Sequence, residues 1–160
     1  MILLGLGANL PSAIGPPAAT LEAVLDALAA AGVIIRRRSS WYRSAPVPAG
    51  DQPWYVNGVV TVETPLDAPS LLALLHRIEE RFGRVRRERN EPRVVDLDIL
   101  DYHGAIRAED PVLPHPRMHE RSFVLLPLRE VAPDWRHPVS GAALPALLAA
   151  LPPDQVTERI

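Results

Sequence analysis

The spacing of apolar residues predicts alternating strands and helices along the first part of the chain. Residues 1–7 are almost all apolar and lead into a glycine-containing turn, which predicts a short buried strand followed by a loop. From Thr20, which we expect to cap a helix, apolar residues recur at helical spacing until Gly32. Residues 33–42 are rich in β-branched and aromatic side chains, which favours a second strand.

The middle of the chain repeats this order after a stiff loop. Residues 44–53 contain three prolines and a glycine and predict an extended loop. Residues 55–63 alternate in polarity and predict a strand with one partly polar face. Ser70 is expected to cap a helix that ends at Gly83. Residues 84–93 have no apolar period, so we expect a charged loop there.

The last part of the chain completes a second strand–helix–strand unit. Residues 94–102 predict a strongly apolar strand that two aspartates interrupt, and residues 123–131 predict a helix after a proline-rich turn. An apolar helix over residues 142–151 is expected to pack on the core. We therefore predict one α+β domain spanning residues 1–160. Its two βαβ units resemble a ferredoxin-like core, with helices packed on both faces of a mainly antiparallel sheet.

Composition excludes several classes of function. The chain has no cysteine, which removes disulfides, thiol nucleophiles and thiolate metal sites. A formal net charge of -2 and a pI near 6.2 argue against binding nucleic acid or anionic membrane through bulk charge. The N-terminus lacks the basic segment of a signal peptide, and no stretch approaches the roughly 20 apolar residues of a membrane span. We expect a cytoplasmic protein.

Asp96 and Asp98 are candidate ligands of a metal ion. Residues two apart on a strand point to the same face, which puts these carboxylates about 7 Å apart at the backbone. The apolar neighbours Leu97 and Ile99 indicate a buried strand, where two uncompensated acids are costly. Magnesium is commonly held by one or two carboxylates and by substrate phosphates. The alternative is a solvent-facing strand whose aspartates pair with nearby arginines, because an Asp-x-Asp pair alone is a weak motif.

Five arginines stand in the loop before these aspartates. They are Arg84, Arg86, Arg87, Arg89 and Arg93. Arginine binds phosphate through a bidentate fork and stays charged at physiological pH. A cationic loop beside a metal-binding acid pair suits transfer between polyphosphates, in which charge on the moving group must be stabilised. The alternatives are a solvated loop paired with its own glutamates and a nucleic-acid patch.

A further polar cluster follows at residues 114–123. His115 and Arg121 are candidates to contact phosphate or a nucleotide. A histidine near the start of a helix is more often a structural hydrogen-bonding residue, so this cluster alone does not favour a ligand. No side chain in the sequence stands out as a general base.

Seven segments, in order over nearly the whole chain, carry a family resemblance. They are Gly5-Leu6-Gly7-Ala8-Asn9-Leu10, Ser40-Trp41-Tyr42-Arg43-Ser44, Tyr55-Val56-Asn57, Arg77-Ile78-Glu79, Gly83-Arg84-Val85-Arg86, Pro92-Arg93-Val94-Val95-Asp96-Leu97-Asp98, and Pro114-His115 with Arg121-Ser122-Phe123. This set resembles the hydroxymethyl-dihydropterin pyrophosphokinase family of folate biosynthesis, whose signature is Pro-Arg-x-x-Asp-x-Asp. The sequence differs from well-known members at Asn90, where a tryptophan is usual, and in a loop that is one residue shorter.

The resemblance implies transfer of pyrophosphate from ATP, the co-substrate, to 6-hydroxymethyl-7,8-dihydropterin, with release of AMP. It implies two magnesium ions held by Asp96 and Asp98, with Arg84 and Arg93 as further catalytic residues. The residues that match pterin contacts are Ser44, Val47, Tyr55, Asn57 and Phe123. The residues that match ATP contacts are Glu79, Arg84, Arg89, Arg93, His115 and Arg121.

Two other functions fit parts of the pattern. A ferredoxin-like core also serves nucleic-acid-binding modules, but those depend on alternating aromatic residues along central strands, which this sequence lacks. Another metal-dependent nucleotidyltransferase with Asp-x-Asp predicts release of pyrophosphate where the pyrophosphokinase releases AMP. We expect a monomer whose partners are ATP and the pterin, with no nucleic acid and no membrane.

Overall fold

The computed structural model describes residues 1–46, 53–83 and 94–160. Its elements are β1 (Ile2–Ala8), α1 (Pro17–Ala30), β2 (Ile34–Arg38), β3 (Tyr42–Ser44), β4 (Tyr55–Glu63), α2 (Ala68–Arg81), β5 (Asp96–Tyr102), α3 (Ser122–Val131), α4 (Leu144–Ala149) and β6 (Thr157–Arg159). The strand order in this described part is β5-β1-β4-β3-β6, and β2 pairs with β4 beside β3. Every pairing among these strands is antiparallel.

Helices cover both faces of the sheet, which confirms the predicted α+β fold. One core lies between the sheet and helices α1 and α2, and it contains Leu4 and Leu6 of β1 with Leu97 of β5. The other core lies between the sheet and helices α3 and α4, and it contains Leu3 of β1 and Leu100 of β5. Alternate residues of one strand therefore serve opposite faces, as the two-residue period of a strand requires.

Two predicted helix starts were wrong by a few residues. Helix α1 begins at Pro17, because proline fits the first turn, where its missing N–H costs nothing. Thr20 is fully buried inside this helix and caps nothing. Helix α2 begins at Ala68, and its cap is Asp67, whose Oδ1 accepts a hydrogen bond from the Ser70 N–H at 2.9 Å. Ser70 is thus the residue that donates to the cap.

The predicted end of α1 agrees with the structure. Gly32 has a φ of 90°, which glycine adopts at little cost. The Val33 N–H bonds to the Leu28 carbonyl at 3.0 Å, and the Gly32 N–H bonds to the Ala29 carbonyl at 3.1 Å. These two bonds form a Schellman motif and satisfy carbonyls that the helix end leaves open.

The predicted strand over residues 33–42 is two strands. β2 pairs with the last part of β4, β3 pairs with its first part, and residues 39–41 lie between them. The sequence analysis also missed β6, which adds to the free side of β3. Three residues are too few for a two-residue period to be recognised. Within the described ranges, no helix is long and apolar enough to span a bilayer.

Candidate active site

A cavity of about 1000 Å³ opens on the α3 side of the sheet. Its floor is formed by β1, β4 and β5, and its walls come from residues 115–124 and from the end of α4 through Gln155. This size is at the upper end of the range for small-molecule sites. The central strands thus line a ligand-sized space on their face toward α3.

Two glycines of β1 lie in the floor beside the predicted metal ligands. Gly7 is the strand partner of Asp96, and Gly5 is the strand partner of Asp98. All four residues line the cavity. Because the glycines have no side chains, neighbouring side chains come close to the backbone of β1, Asn57 over Gly7 and Leu100 beside Gly5. The Asp98 side chain is 37% exposed, so a ligand in the cavity can reach it.

The aspartate pair fits a hard divalent cation. Carboxylate oxygens are the ligands that magnesium and calcium prefer, and magnesium usually takes only one or two of them from the protein. In residues 1–46, 53–83 and 94–160, no group of three or more His, Cys, Asp or Glu side chains is arranged to hold a metal ion. The donor set at Asp96 and Asp98 therefore fits an ion that also has water or substrate oxygens as ligands.

Asn57 of β4 lies across the floor from the aspartates and is fixed by a neighbour. Its Oδ1 accepts a hydrogen bond from the buried Ser44 hydroxyl at 2.7 Å. Its strand partner is Gly7, and a Cβ placed on Gly7 would lie 2.8 Å from Asn57 Nδ2. The amide therefore lies over a residue without a side chain, with its oxygen engaged and its Nδ2 group above β1. Tyr55 continues the same face of β4 and also lines the cavity.

His115 stands beside Asp98 as a neutral hydrogen-bond donor. Burial and the nearby Arg121 guanidinium lower the pKa of His115 to about 4, although Asp96 acts in the opposite direction. Its Nδ1 accepts a hydrogen bond from the Arg117 N–H at 3.2 Å, and its Nε2 is 4.0 Å from Asp98 Oδ2. The bond to Nδ1 assigns the proton to Nε2. A neutral imidazole N–H thus faces the acid pair.

Arg121 and Phe123 form the wall at the start of α3. The Arg121 guanidinium lies 5.3 Å from the centre of the Phe123 ring, within the range of a cation–π contact. Arg121 is the cap position of α3, and its carbonyl accepts from the N–H groups of Val124 and Leu125. The cavity therefore has an aromatic surface and a cation side by side.

The structure brings eight of the predicted site residues to this one cavity. They are Ser44, Tyr55, Asn57, Asp96, Asp98, His115, Arg121 and Phe123. Four further predicted residues lie outside the described part of the chain, namely Val47, Arg84, Arg89 and Arg93.

Glu79 does not line this cavity with the other predicted residues. It is fully buried on α2, and its Oε2 accepts a hydrogen bond from the Leu97 N–H at 2.9 Å. Leu97 is the residue between the two aspartates, and β5 is an edge strand. The predicted contact between Glu79 and ATP stays a prediction. In the structure its carboxylate satisfies a backbone donor of the strand that carries Asp96 and Asp98.

The C-terminal segment contributes a wall of the cavity that was not predicted from the sequence. Leu147, Pro152 and Gln155 line the cavity, although no motif or spacing distinguishes them. The Gln155 side chain bonds to the backbone on both sides of Arg121. A glutamine that follows two prolines has no sequence signal for such a role, because the contact depends on how the chain returns to the sheet.

Known proteins resemble this chain over most of its length. The model of the family described as 7,8-dihydro-6-hydroxymethylpterin-pyrophosphokinase (HPPK) matches residues 3–133. A Synechocystis protein named 2-amino-4-hydroxy-6-hydroxymethyldihydropteridine pyrophosphokinase is 43% identical over 91% of this chain and 73% of its own length. A Methylorubrum extorquens protein of the same name is 42% identical over 98% of this chain and 96% of its own length.

Solved structures agree on the fold. The crystal structure of Plasmodium falciparum HPPK-DHPS superposes with a TM-score of 0.71 at 15% identity, over 92% of this chain. The chain spans 42% of that longer protein. At this identity the likeness shows the fold alone.

Proposed function

The chain belongs to the 7,8-dihydro-6-hydroxymethylpterin-pyrophosphokinase family, and from this premise we propose how its cavity carries out the family's reaction. The enzyme transfers pyrophosphate from ATP to 6-hydroxymethyl-7,8-dihydropterin in folate biosynthesis. In this transfer the hydroxymethyl oxygen bonds to the β-phosphorus of ATP. The bond from that phosphorus to the oxygen shared with the α-phosphate breaks, AMP leaves, and the hydroxyl proton passes to an acidic ligand or to water.

One observation supports placing the triphosphate and the pterin in this cavity. A single open cavity contains both an acid pair that fits a divalent cation and, across two glycines, an oriented amide with an aromatic wall. The first suits a triphosphate, and the second suits a flat heterocycle with hydrogen-bonding edges. Pyrophosphoryl transfer needs both substrates side by side, because holding them together removes much of the entropic cost of reaction.

On the phosphate side, Asp96 and Asp98 would hold magnesium ions, two in number as the family resemblance implies. Bound there, magnesium would neutralise phosphate oxygens and polarise the reacting phosphorus. The neutral His115 donates its Nε2–H to a phosphate or nucleotide oxygen, and Arg121 supplies a fixed positive charge at the rim. We also propose that Arg84, Arg89 and Arg93 bind phosphate, through the bidentate contacts that arginine makes.

On the pterin side, Asn57 donates from its Nδ2 group to the edge of the ring. Its orientation is set before binding by the bond from Ser44, which lowers the ordering cost of binding. Phe123 stacks on the ring face, an arrangement that aromatic groups favour. Tyr55 forms a second aromatic wall, and backbone groups of Ser44 and Val47 add contacts. These are the five residues that the family resemblance matches to pterin contacts.

We further propose that the chain acts as a monomer of one domain in the cytoplasm. One incubation of the protein with ATP, magnesium and the reduced pterin tests the reaction, with the nucleotide products separated by chromatography. AMP is expected, and a chelator of divalent cations should stop its formation. Release of pyrophosphate would favour a nucleotidyltransferase instead. Salt-dependent retention of RNA without consumption of ATP would favour a binding module.

A further inference from the structure

The C-terminal segment joins the two walls between which the pterin is proposed to bind. Thr157 of β6 is the strand partner of Ser44 on β3. The Thr157 hydroxyl also lies 2.6 Å from the hydroxyl of Ser122, the first residue of α3. One residue therefore contacts both the strand that orients Asn57 and the helix that carries Phe123.

Gln155 holds the start of α3 from the same segment with both ends of its amide. Its Oε1 accepts a hydrogen bond from the Ser122 N–H at 2.7 Å. Its Nε2 donates to the Glu120 carbonyl at 2.6 Å. The two bonded residues directly flank Arg121, and Ser122 directly precedes Phe123. The amide thus fixes the backbone from which the cation and the aromatic ring of this wall project.

The start of a helix is where backbone N–H groups lack partners within the helix. Here the cap residue Arg121 makes no capping hydrogen bond with its side chain. Gln155 supplies the missing acceptor from a distant part of the chain, in place of a local Ser, Thr, Asp or Asn. The position of this helix end therefore depends on where β6 holds Gln155.

We propose that Gln155 and Thr157 are positioning residues that set the gap between Phe123 and the Asn57–Ser44 pair, and so determine pterin affinity. This inference rests on the proposed placement of the pterin between these groups. Contact energy between a ring and its stacking partner is sensitive to spacing, since a gap of 0.5–1 Å already forfeits about a quarter to a half of it. A wall that is free to move would lose this contact, while the acid pair of the phosphate side, on β5, stays in place.

Gln155→Met tests the inference, because methionine keeps the length of the side chain and removes both hydrogen bonds. We expect the KM for the pterin to rise about tenfold, the size of effect that one or two net hydrogen bonds produce. The KM for ATP should rise less than the KM for the pterin, because Arg121 is the one nucleotide-side residue in the described ranges that Gln155 holds, whereas Asp96 and Asp98 lie on β5. Thr157→Val keeps the shape and the strand pairing but removes the hydroxyl bond, and a smaller rise of about threefold is expected.

Two further variants separate positioning from a general loss of structure. Gln155→Glu keeps an acceptor for the Ser122 N–H but cannot donate to Glu120, so it should recover part of the pterin affinity lost in Q155M. Glu158→Ala is the matched control on the same strand, because Glu158 pairs with Arg43 at the exposed surface. Its KM values should match those of the unaltered protein.

Three results would overturn the inference. The first is an unchanged pterin KM in Q155M, and the second is a parallel rise in both KM values with a lowered thermal midpoint. The third is a Q155E protein no better than Q155M. If the unaltered protein forms AMP and Q155M behaves identically, only this inference fails. If the unaltered protein forms no AMP, the proposed function fails and the inference falls with it.

Discussion

The two faces of the central sheet use the same three strands for different purposes. On the face toward α1 and α2, β1, β4 and β5 present aliphatic side chains that are almost completely buried, such as Leu4, Val60 and Ile99. On the face toward α3, neighbouring positions of the same strands hold Gly7 and Asp98 beside an open cavity. One face is closed by aliphatic packing, and the other leaves a cavity beside the acid pair.

This contrast indicates that, along these strands, alternate residues contribute to stability and to the active site. A strand turns successive side chains to opposite faces, so a change at one position need not disturb the function of the next. The apolar face anchors the strands that carry the acids, and the open face is then free to hold polar groups that packing alone would not tolerate. Substitutions on the open face should therefore lower turnover with little effect on stability. Substitutions on the closed face should lower the free energy of unfolding with little effect on turnover.

The largest effect is expected on the open face from Asp98→Asn. The amide keeps the size of the side chain but removes the negative charge that a divalent ion needs, so AMP formation should fall by about a thousandfold or more. Circular dichroism and the thermal midpoint should stay close to those of the unaltered protein. Asp26→Asn, an exposed change on α1, is the control and should keep full activity. Turnover of D98N within tenfold of normal would contradict the assignment.

The closed face should respond in the opposite way to Leu75→Ala. Leu75 of α2 is fully buried in the apolar core, and truncating such a leucine costs about 2–5 kcal/mol of unfolding free energy. Urea unfolding followed by circular dichroism measures this loss. The folded fraction should turn over normally. Leu72→Ala, at a half-buried position of the same helix, should cost less. An equal loss in both variants would mean that this face is not close-packed.

Much of the fold follows from local patterns, because those patterns are long. The strand predicted over residues 55–63 is β4 to the residue, since nine residues of alternating polarity leave little ambiguity. Errors arose where a feature was short or where two residues competed. Ser70 and Asp67 are both good caps, and only the structure shows which one accepts the bond. β6 has three residues and is defined by its partner, which a local pattern does not reveal.

The part of the site that lies on a single strand could be predicted from the sequence. The spacing of Asp96 and Asp98 is local, so their common face could be inferred from the sequence. The meeting of Asn57 with Gly7 depends on the register between β1 and β4, which a single sequence does not encode in any short motif. Glu79 was matched to a nucleotide contact by family resemblance, and its full burial could not be inferred from the sequence. Burial of an acid depends on packing around it, which local sequence does not specify.

Substitutions of Glu79 test whether this buried acid stabilises the fold or contacts the nucleotide. Glu79→Leu removes the acceptor of the buried Leu97 N–H, and an unsatisfied buried donor costs about 1–3 kcal/mol. Glu79→Gln keeps a carbonyl oxygen for that bond and should retain more of the stability. Chemical unfolding of both variants, with the KM for ATP measured alongside, separates the roles. A raised KM for ATP in E79Q at unchanged stability would restore the nucleotide contact and contradict the structural role.

The smallest effect should come from filling the open face, with Gly7→Ala. A Cβ at Gly7 would lie 2.8 Å from Asn57 Nδ2, so the amide must shift, and its bond from Ser44 at 2.7 Å must lengthen. We expect the KM for the pterin to rise about fivefold, close to the net value of one hydrogen bond.

Gly5→Ala is the matched control for this change, because its Cβ would lie 3.4 Å from the Leu100 side chain, an ordinary packing distance. Steady-state kinetics with the pterin varied at saturating ATP compares the two variants. If the open face works by keeping space above β1 next to Asn57, only G7A should weaken pterin binding. An equal rise in both variants would mean that the whole floor must stay empty, and the amide would then have no special role.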